Sequence, residues 1–113
     1  MKIFRSSFIF LSLLIILIGC SKDSGNCLFV GGLWCDPASG TVCIEFRENG
    51  EHYSAGGHVA NWKAKDDCNT IEFFAPTIGV KLYEYKVVSI NGNTSGSQLK
   101  LDIGLGTQTY IKK

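Results

Sequence analysis

The chain has 113 residues, 45% of them apolar, and a formal net charge of +1, which bounds it to one domain at most. It has no basic surplus of the kind that neutralises a phosphate backbone, so nucleic acid is not an expected partner. Apolar content is concentrated at the N-terminus, and beyond residue 19 polar and apolar residues alternate as in a water-soluble domain.

The first nineteen residues have the three parts of a secretory signal. Lys2 and Arg5 form a positive start, Phe8 to Ile18 an apolar stretch interrupted only by Ser12, and the small Gly19 precedes the expected cleavage point. An eleven-residue helix spans roughly 16 Å, about half of a bilayer core of about 30 Å. A permanent transmembrane helix is therefore disfavoured. The run Leu17-Ile18-Gly19-Cys20 resembles the lipobox of bacterial lipoproteins. That resemblance implies cleavage before Cys20, a diacylglyceryl thioether on its sulfur and acylation of the freed amine. One acyl chain binds a membrane only marginally, whereas two or three hold it stably, at about 0.8 kcal/mol per buried methylene.

Of the 11 Lys and Arg, Lys2 and Arg5 leave with residues 1–19, so nine remain against ten Asp and Glu. The surface charge of the mature chain thus points to no particular partner. Residues 20–26 combine the lipidated cysteine with a polar, aperiodic tether. Four further cysteines, Cys27, Cys35, Cys43 and Cys68, form an even set in an exported small domain, which reads as a disulfide framework. Three connectivities are open. No C-x-x-C pair occurs, so a zinc site is not expected.

From Cys27 onward strand signals dominate. Leu28 to Trp34 is an apolar entry segment or first strand, and Asp36 to Gly40 is a turn. Thr41 to Arg47 alternates, with Val42, Ile44 and Phe46 on one face. Glu48-Asn49-Gly50 turns the chain into Glu51 to Ser54, a hairpin, and Ala55-Gly56-Gly57 breaks it again. His58 to Ala64 puts His58, Ala60, Trp62 and Ala64 on one face. Lys65 to Asn69 turns into a strand at Thr70 to Ala75, which Pro76 ends. Lys81 to Ile90 is the longest strand, with Tyr83, Tyr85 and Val87 on one face. Asn91 to Ser97 is a loop, Gln98 to Ile103 points Leu99, Leu101 and Ile103 inward, and Gly104-Leu105-Gly106 leads to Thr107–Ile111.

No mature segment carries a sustained 3.6-residue apolar period. The expected fold is all-β, a small antiparallel up-and-down barrel of seven or eight strands over residues 27–113, because closure removes exposed edges. A flat or two-layer sheet is the alternative. Gly32-Leu33-Trp34, Ile44-Glu45-Phe46 with Glu48-Asn49-Gly50, Asn61-Trp62-Lys63, Thr70–Phe74, Leu99-Lys100-Leu101 and Thr109-Tyr110-Ile111-Lys112-Lys113 follow one another in order. This series resembles the small lipocalin-like lipoproteins of Bacteroidota over nearly all of Cys27–Lys113. The four cysteines and the Tyr-rich strand at Lys81–Ile90 depart from that pattern. The resemblance implies a barrel that often holds one apolar small molecule.

Chemistry-bearing constellations are sparse. His52 follows the Asn-Gly turn and reads as a solvated hairpin residue, while His58 is expected half-buried on the Trp62 face. No G-x-S-x-G elbow occurs, and Glu45 and Glu72 lie on separate strands. Phe46, Trp62, Phe73, Tyr83, Tyr85 and Tyr110 either line a pocket or fill the barrel. A domain this small needs most of its aromatics as core, which favours filling. The expectation is a monomeric, non-enzymatic envelope lipoprotein without cofactor or metal. It is anchored through Cys20, most simply to the outer membrane, facing the periplasm or the cell surface, and binds a small apolar ligand. The alternative is a protein-binding inhibitor or immunity factor acting on an envelope hydrolase or toxin. An enclosed apolar cavity favours the first; a filled barrel with an exposed loop patch, for example at Asn91–Ser97, favours the second.

Overall fold

The structure, a computed structural model, describes residues 26–113. The signal peptide expected over residues 1–19, the lipid site at Cys20 and the tether as far as residue 25 lie outside the described residues.

Eight strands run in chain order around a closed antiparallel barrel: β1 (Trp34–Cys35), β2 (Cys43–Phe46), β3 (Glu51–Ser54), β4 (Gly57–Lys65), β5 (Thr70–Phe74), β6 (Lys81–Ile90), β7 (Gln98–Asp102) and β8 (Thr107–Lys112). The expected lipocalin-like, up-and-down architecture is therefore present, and among the described residues the strands close into a barrel where the alternative was a flat or two-layer sheet. Closure is made by β8 returning to β1, with Trp34 opposite Lys112 and Cys35 opposite Ile111. The last strand thereby covers the edge of the first, which would otherwise offer unpaired backbone groups.

Residues directly opposed across two strands share a face, so the pairing fixes which side chains enter the barrel. Ile44, Phe46, Ala60, Trp62, Ile71, Phe73, Leu99 and Leu101 form the buried inner wall. Three irregularities interrupt the alternation. The β3–β4 register steps from His52↔Ala60 to Tyr53↔His58, leaving Val59 unpaired. Leu82 is skipped in the same way between β5 and β6, and Val88 between β6 and β7. Such bulges increase local twist and bend the wall, which a small barrel needs in order to close.

Two expectations about histidine are corrected here. The bulge at Val59 turns His58 away from the Trp62 face. It lies exposed on the outside, its ring stacked on Tyr53 at 5.3 Å and its Nε2 donating to Asn61 Oδ1 at 3.0 Å. His52, expected in solvent, is only 5% exposed. It lies opposite Phe46 and Ala60, which are both core residues, so it too faces inward. Of the two readings of Leu28 to Trp34, the structure takes the entry segment: only Trp34 and Cys35 join the sheet, and the preceding residues form turns.

Those turns close one end of the barrel. Phe29, 1% exposed, meets Phe46 and Trp62 edge-on at 5.0 and 5.4 Å. Gly31 N donates to Phe46 O, and Trp34 Nε1 donates to Phe29 O, both at 2.9 Å. The Asn91–Ser97 loop clamps the segment from the other side, Asn93 Nδ2 donating to the carbonyls of Leu28 and Val30. Lys112 Nζ donates to Asn93 Oδ1 and lies 5.4 Å from the centre of the Trp34 ring. Gly32, at φ +75°, passes so close to the Lys112 side chain that a Cβ there would collide with its end. Glycine is the residue that fits.

Candidate functional site

The up-and-down topology sends alternate connections to opposite ends. The β2–β3, β4–β5 and β6–β7 turns share the end closed by Phe29. The β1–β2, β3–β4, β5–β6 and β7–β8 connections surround the other. That second end is the candidate site.

Two observations distinguish it from the closed end. Tyr83 faces inward, opposite the fully buried Phe73, yet it is 43% exposed, so solvent reaches the inner wall there. The rim carries exposed apolar side chains: Val42, Ile78, Val80 and Leu82, with Leu105 at the tip of the β7–β8 turn 96% exposed. Single exposed apolar residues are ordinary, but a group on the connections around one opening has the character of a binding surface.

Inside the mouth, β6 supplies Tyr83 and Tyr85, whose ring centres are 5.2 Å apart. Both rest on Phe73, at 4.8 and 4.9 Å. Tyr110 enters from β8, directly opposite Leu99. Burial, reinforced by the neighbouring phenols of Tyr83 and Tyr110, pushes the Tyr85 hydroxyl up to about 12. Burial likewise raises that of Tyr110. These phenols stay neutral at physiological pH and can both donate and accept hydrogen bonds.

The six aromatics singled out in the sequence thus divide. Phe46, Trp62 and Phe73 are core, with Trp62 Nε1 donating to Arg47 O at 3.0 Å. Tyr83, Tyr85 and Tyr110 are part-exposed side chains nearer the mouth.

His52 is the group that strand periodicity did not identify as a site residue. Its ring stacks on Phe46 at 4.7 Å, lies 4.9 Å from Phe73, and has Nδ1 3.0 Å from Glu45 O. A carbonyl can only accept, so Nδ1 carries the proton and Nε2 has a free lone pair. Burial lowers the imidazole pKa, partly opposed by the Glu45 carbonyl, so the neutral tautomer prevails at neutral pH. The inward parity of β3 and the burial of its neighbours were the available signals.

The remaining charged groups lie on the outer wall. Lys81 contacts Glu84 and Glu72 at 2.7 and 3.0 Å, Lys65 contacts the same two carboxylates, and Arg47 contacts Glu45 at 3.2 Å. Exposed pairs of this kind are screened by solvent and contribute little to stability. Glu45 and Glu72 therefore sit in separate ion pairs on strands that are not neighbours. Among the described residues, no cluster of His, Cys, Asp and Glu could hold a metal ion.

The four cysteines pair as Cys27–Cys68 and Cys35–Cys43. The first ties the closing segment to the β4–β5 turn. The second joins facing residues of β1 and β2 on the outer side, beside a crevice of about 330 Å³ that Glu45, Tyr53 and Lys113 also line. A crevice of about 250 Å³ adjoins Cys27–Cys68 at the closed end. Neither lies inside the barrel. In comparisons with known proteins, no family model, no curated protein and no solved structure matches this chain.

Proposed function

We propose that this chain is a lipid-anchored, non-enzymatic binding module that takes a small apolar ligand into the open end of its barrel. The observation that carries this reading is the asymmetry of the two ends. Phe29, Cys27–Cys68 and Asn93 seal one, while inward-facing Tyr83 is 43% exposed at the other behind a rim of exposed aliphatics. A ligand seated there would be desolvated by Val42, Val80, Leu82 and the tyrosine rings, and the phenols would orient any polar group it carries.

Saturable uptake of the neutral fluorophore N-phenyl-1-naphthylamine by the purified protein tests the reading. Binding should be lost in Tyr83→Asp and retained in Leu28→Asp, since Leu28 is exposed on the closing segment. Absence of saturable uptake by the unaltered protein would refute it.

Exposure of Leu105 and Ile78, at 96% and 73%, also suits a protein partner, the second reading. Co-purification of one protein that is lost in the Leu105→Ser, Ile78→Ser variant, combined with no saturable uptake of the fluorophore by the unaltered protein, would favour it over the first. By contrast, the Asn91–Ser97 loop is occupied in closing the barrel, so the rim is the better partner surface.

The anchor reading rests on the lipobox-like Leu17–Cys20 and places the mouth as well. Because the described chain enters at the closed end, a lipid on Cys20 would hold that end toward the membrane and turn the mouth away from it. Cys20→Ala should move the protein from the membrane fraction to the soluble fraction, and unchanged partitioning would refute the anchor.

A further inference from the structure

The least explained polar group of the inner wall is the free nitrogen of His52. The side chain is 5% exposed, its Nδ1 proton is committed to Glu45 O, and Nε2 has no hydrogen-bond partner among the described residues. Buried polar atoms without partners are rare in folded proteins and call for a specific reason. Replacing the imidazole by a phenyl ring of similar shape would remove the cost of burying that nitrogen, since one face already stacks on Phe46 and the tilted Phe73 ring lies beside it.

On β3 and β4 the inward positions between His52 and the mouth carry small residues, with Ile44 beside them on β2. Along β3 the next inward position is Ser54, opposite Ile44. Across β4 the facing residues are Ala60, opposite His52, and Gly57, opposite Ser54. On the other side β6 carries Tyr83 and Tyr85, which rest on Phe73. The inward positions on the mouth side of His52 thus divide into an aromatic set on β6, Tyr83 and Tyr85, and a small-residue set on β3 and β4, Ser54, Gly57 and Ala60, that runs in register as far as His52.

We infer that His52 Nε2 is the polar anchor of the ligand site, accepting a hydrogen bond from the hydroxyl of an otherwise apolar molecule that enters along Ser54, Gly57 and Ala60. This rests on the proposed uptake of an apolar ligand at the mouth and specifies its class: a lipid-like alcohol or phenol, with its donor leading and its apolar body among Tyr83, Tyr85 and the rim. A ligand without a donor would bury against Nε2 and leave that lone pair unsatisfied, which is where discrimination arises. The neutral, tautomer-locked imidazole selects against a carboxylate, because Nε2 offers no proton to it.

The test compares 1-decanol with decyl methyl ether as displacers of N-phenyl-1-naphthylamine at pH 8, on the unaltered protein and on His52→Phe and Ser54→Phe. The alcohol should displace the probe at about tenfold lower concentration than the ether, the difference expected for one buried hydrogen bond. His52→Phe should keep the fold by circular dichroism, keep ether binding and abolish the preference. Ser54→Phe, on the approach route, should weaken both displacers while leaving His52 in place. Equal displacement by alcohol and ether in the unaltered protein overturns the inference and leaves the apolar-ligand reading intact. So does a preference that survives in His52→Phe. Failure of the unaltered protein to take up the probe overturns the ligand reading, and the His52 inference with it.

Discussion

Phe29 meets Trp62 edge-to-face at 5.4 Å, joining a segment that belongs to no strand to the middle of β4. Phe46 completes the cluster, 5.0 Å from Phe29 and 5.6 Å from Trp62. The three rings form the floor of the barrel, and the closed end follows from them. Offset and edge-on aromatic pairs contribute about 0.5–1.5 kcal/mol beyond the area they bury.

Truncating the floor should therefore be costly. Phe29→Ala is expected to lower stability by about 3–5 kcal/mol, the range for a fully buried aromatic removed from a packed core. Urea unfolding followed by tryptophan fluorescence measures it, since Trp34 and Trp62 both border the cavity created. A loss below about 1 kcal/mol, the level of an ordinary surface substitution, would mean that the segment is not part of the core.

The two disulfides should differ in weight. Cys27–Cys68 closes a separation of 41 residues and Cys35–Cys43 one of 8. Loop-entropy arguments assign about 4 kcal/mol to the first and about 2.5 kcal/mol to the second. Removing the first also frees the segment that carries Phe29. The double variants Cys27→Ser/Cys68→Ser and Cys35→Ser/Cys43→Ser, compared by urea midpoint, should rank in that order. An equal or reversed ranking would show that the floor holds without its covalent tie.

His52 sets the first step of acid sensitivity. Its folded pKa lies below the ordinary value of 6.5, so as pH falls through that value the unfolded chain takes a proton that the native barrel refuses. Stability should thus decline as pH drops below the unfolded value, and go on declining until the folded pKa is reached. The charged neighbours on adjoining elements face outward: the Glu45 carboxylate is held by Arg47, and His58 lies outside on β4. A second decline belongs to Glu72 and Glu84, both lowered first of all by hydrogen bonds from Lys81. The Glu84 carboxyl is held at about 2, so its contribution is present above 4.5 and lost as pH falls toward about 2. His52→Phe should flatten the first decline and leave the second. Urea midpoints between pH 8 and pH 3 decide; an unchanged first decline would place its origin elsewhere.

Much of the wall was legible because its physics is local. Alternation in Cys43–Phe46 and Gln98–Asp102, the Asn49-Gly50 turn and the Pro76 break mark the strands through side-chain parity and backbone preference. The inner set Ile44, Phe46, Trp62 and Leu99 follows from that parity. The bulges did not announce themselves. Val59 has the composition of a regular strand residue, and only the closure geometry determines that it is skipped, which turns His58 outward. Disulfide pairing is likewise a matter of distance in space, since spacing alone left three connectivities. Phe29 was legible as apolar but not as a floor, because its place depends on Asn93, 64 positions along the chain, by way of the carbonyls on either side of it. His52 reads as solvated because it follows a turn, although its hairpin partner Phe46 implies burial.

The mouth offers a separation of binding from stability that the floor does not. Leu105 and Ile78 are exposed by 96% and 73%, so replacing both by serine should leave the urea midpoint within the scatter of ordinary surface changes, about 0.5 kcal/mol. Against a bound apolar probe the same side chains would each cover some tens of Å² at about 25 cal/mol per Å². The double variant should therefore bind N-phenyl-1-naphthylamine several-fold more weakly than the unaltered protein. Val88→Ser is the control: it removes an exposed aliphatic of similar size from the skipped position between β6 and β7, remote from the rim. It should leave both affinity and midpoint unchanged. If it weakens binding as much as the rim variant does, the probe is held on the outer wall, and the open end would lose its standing as the binding site.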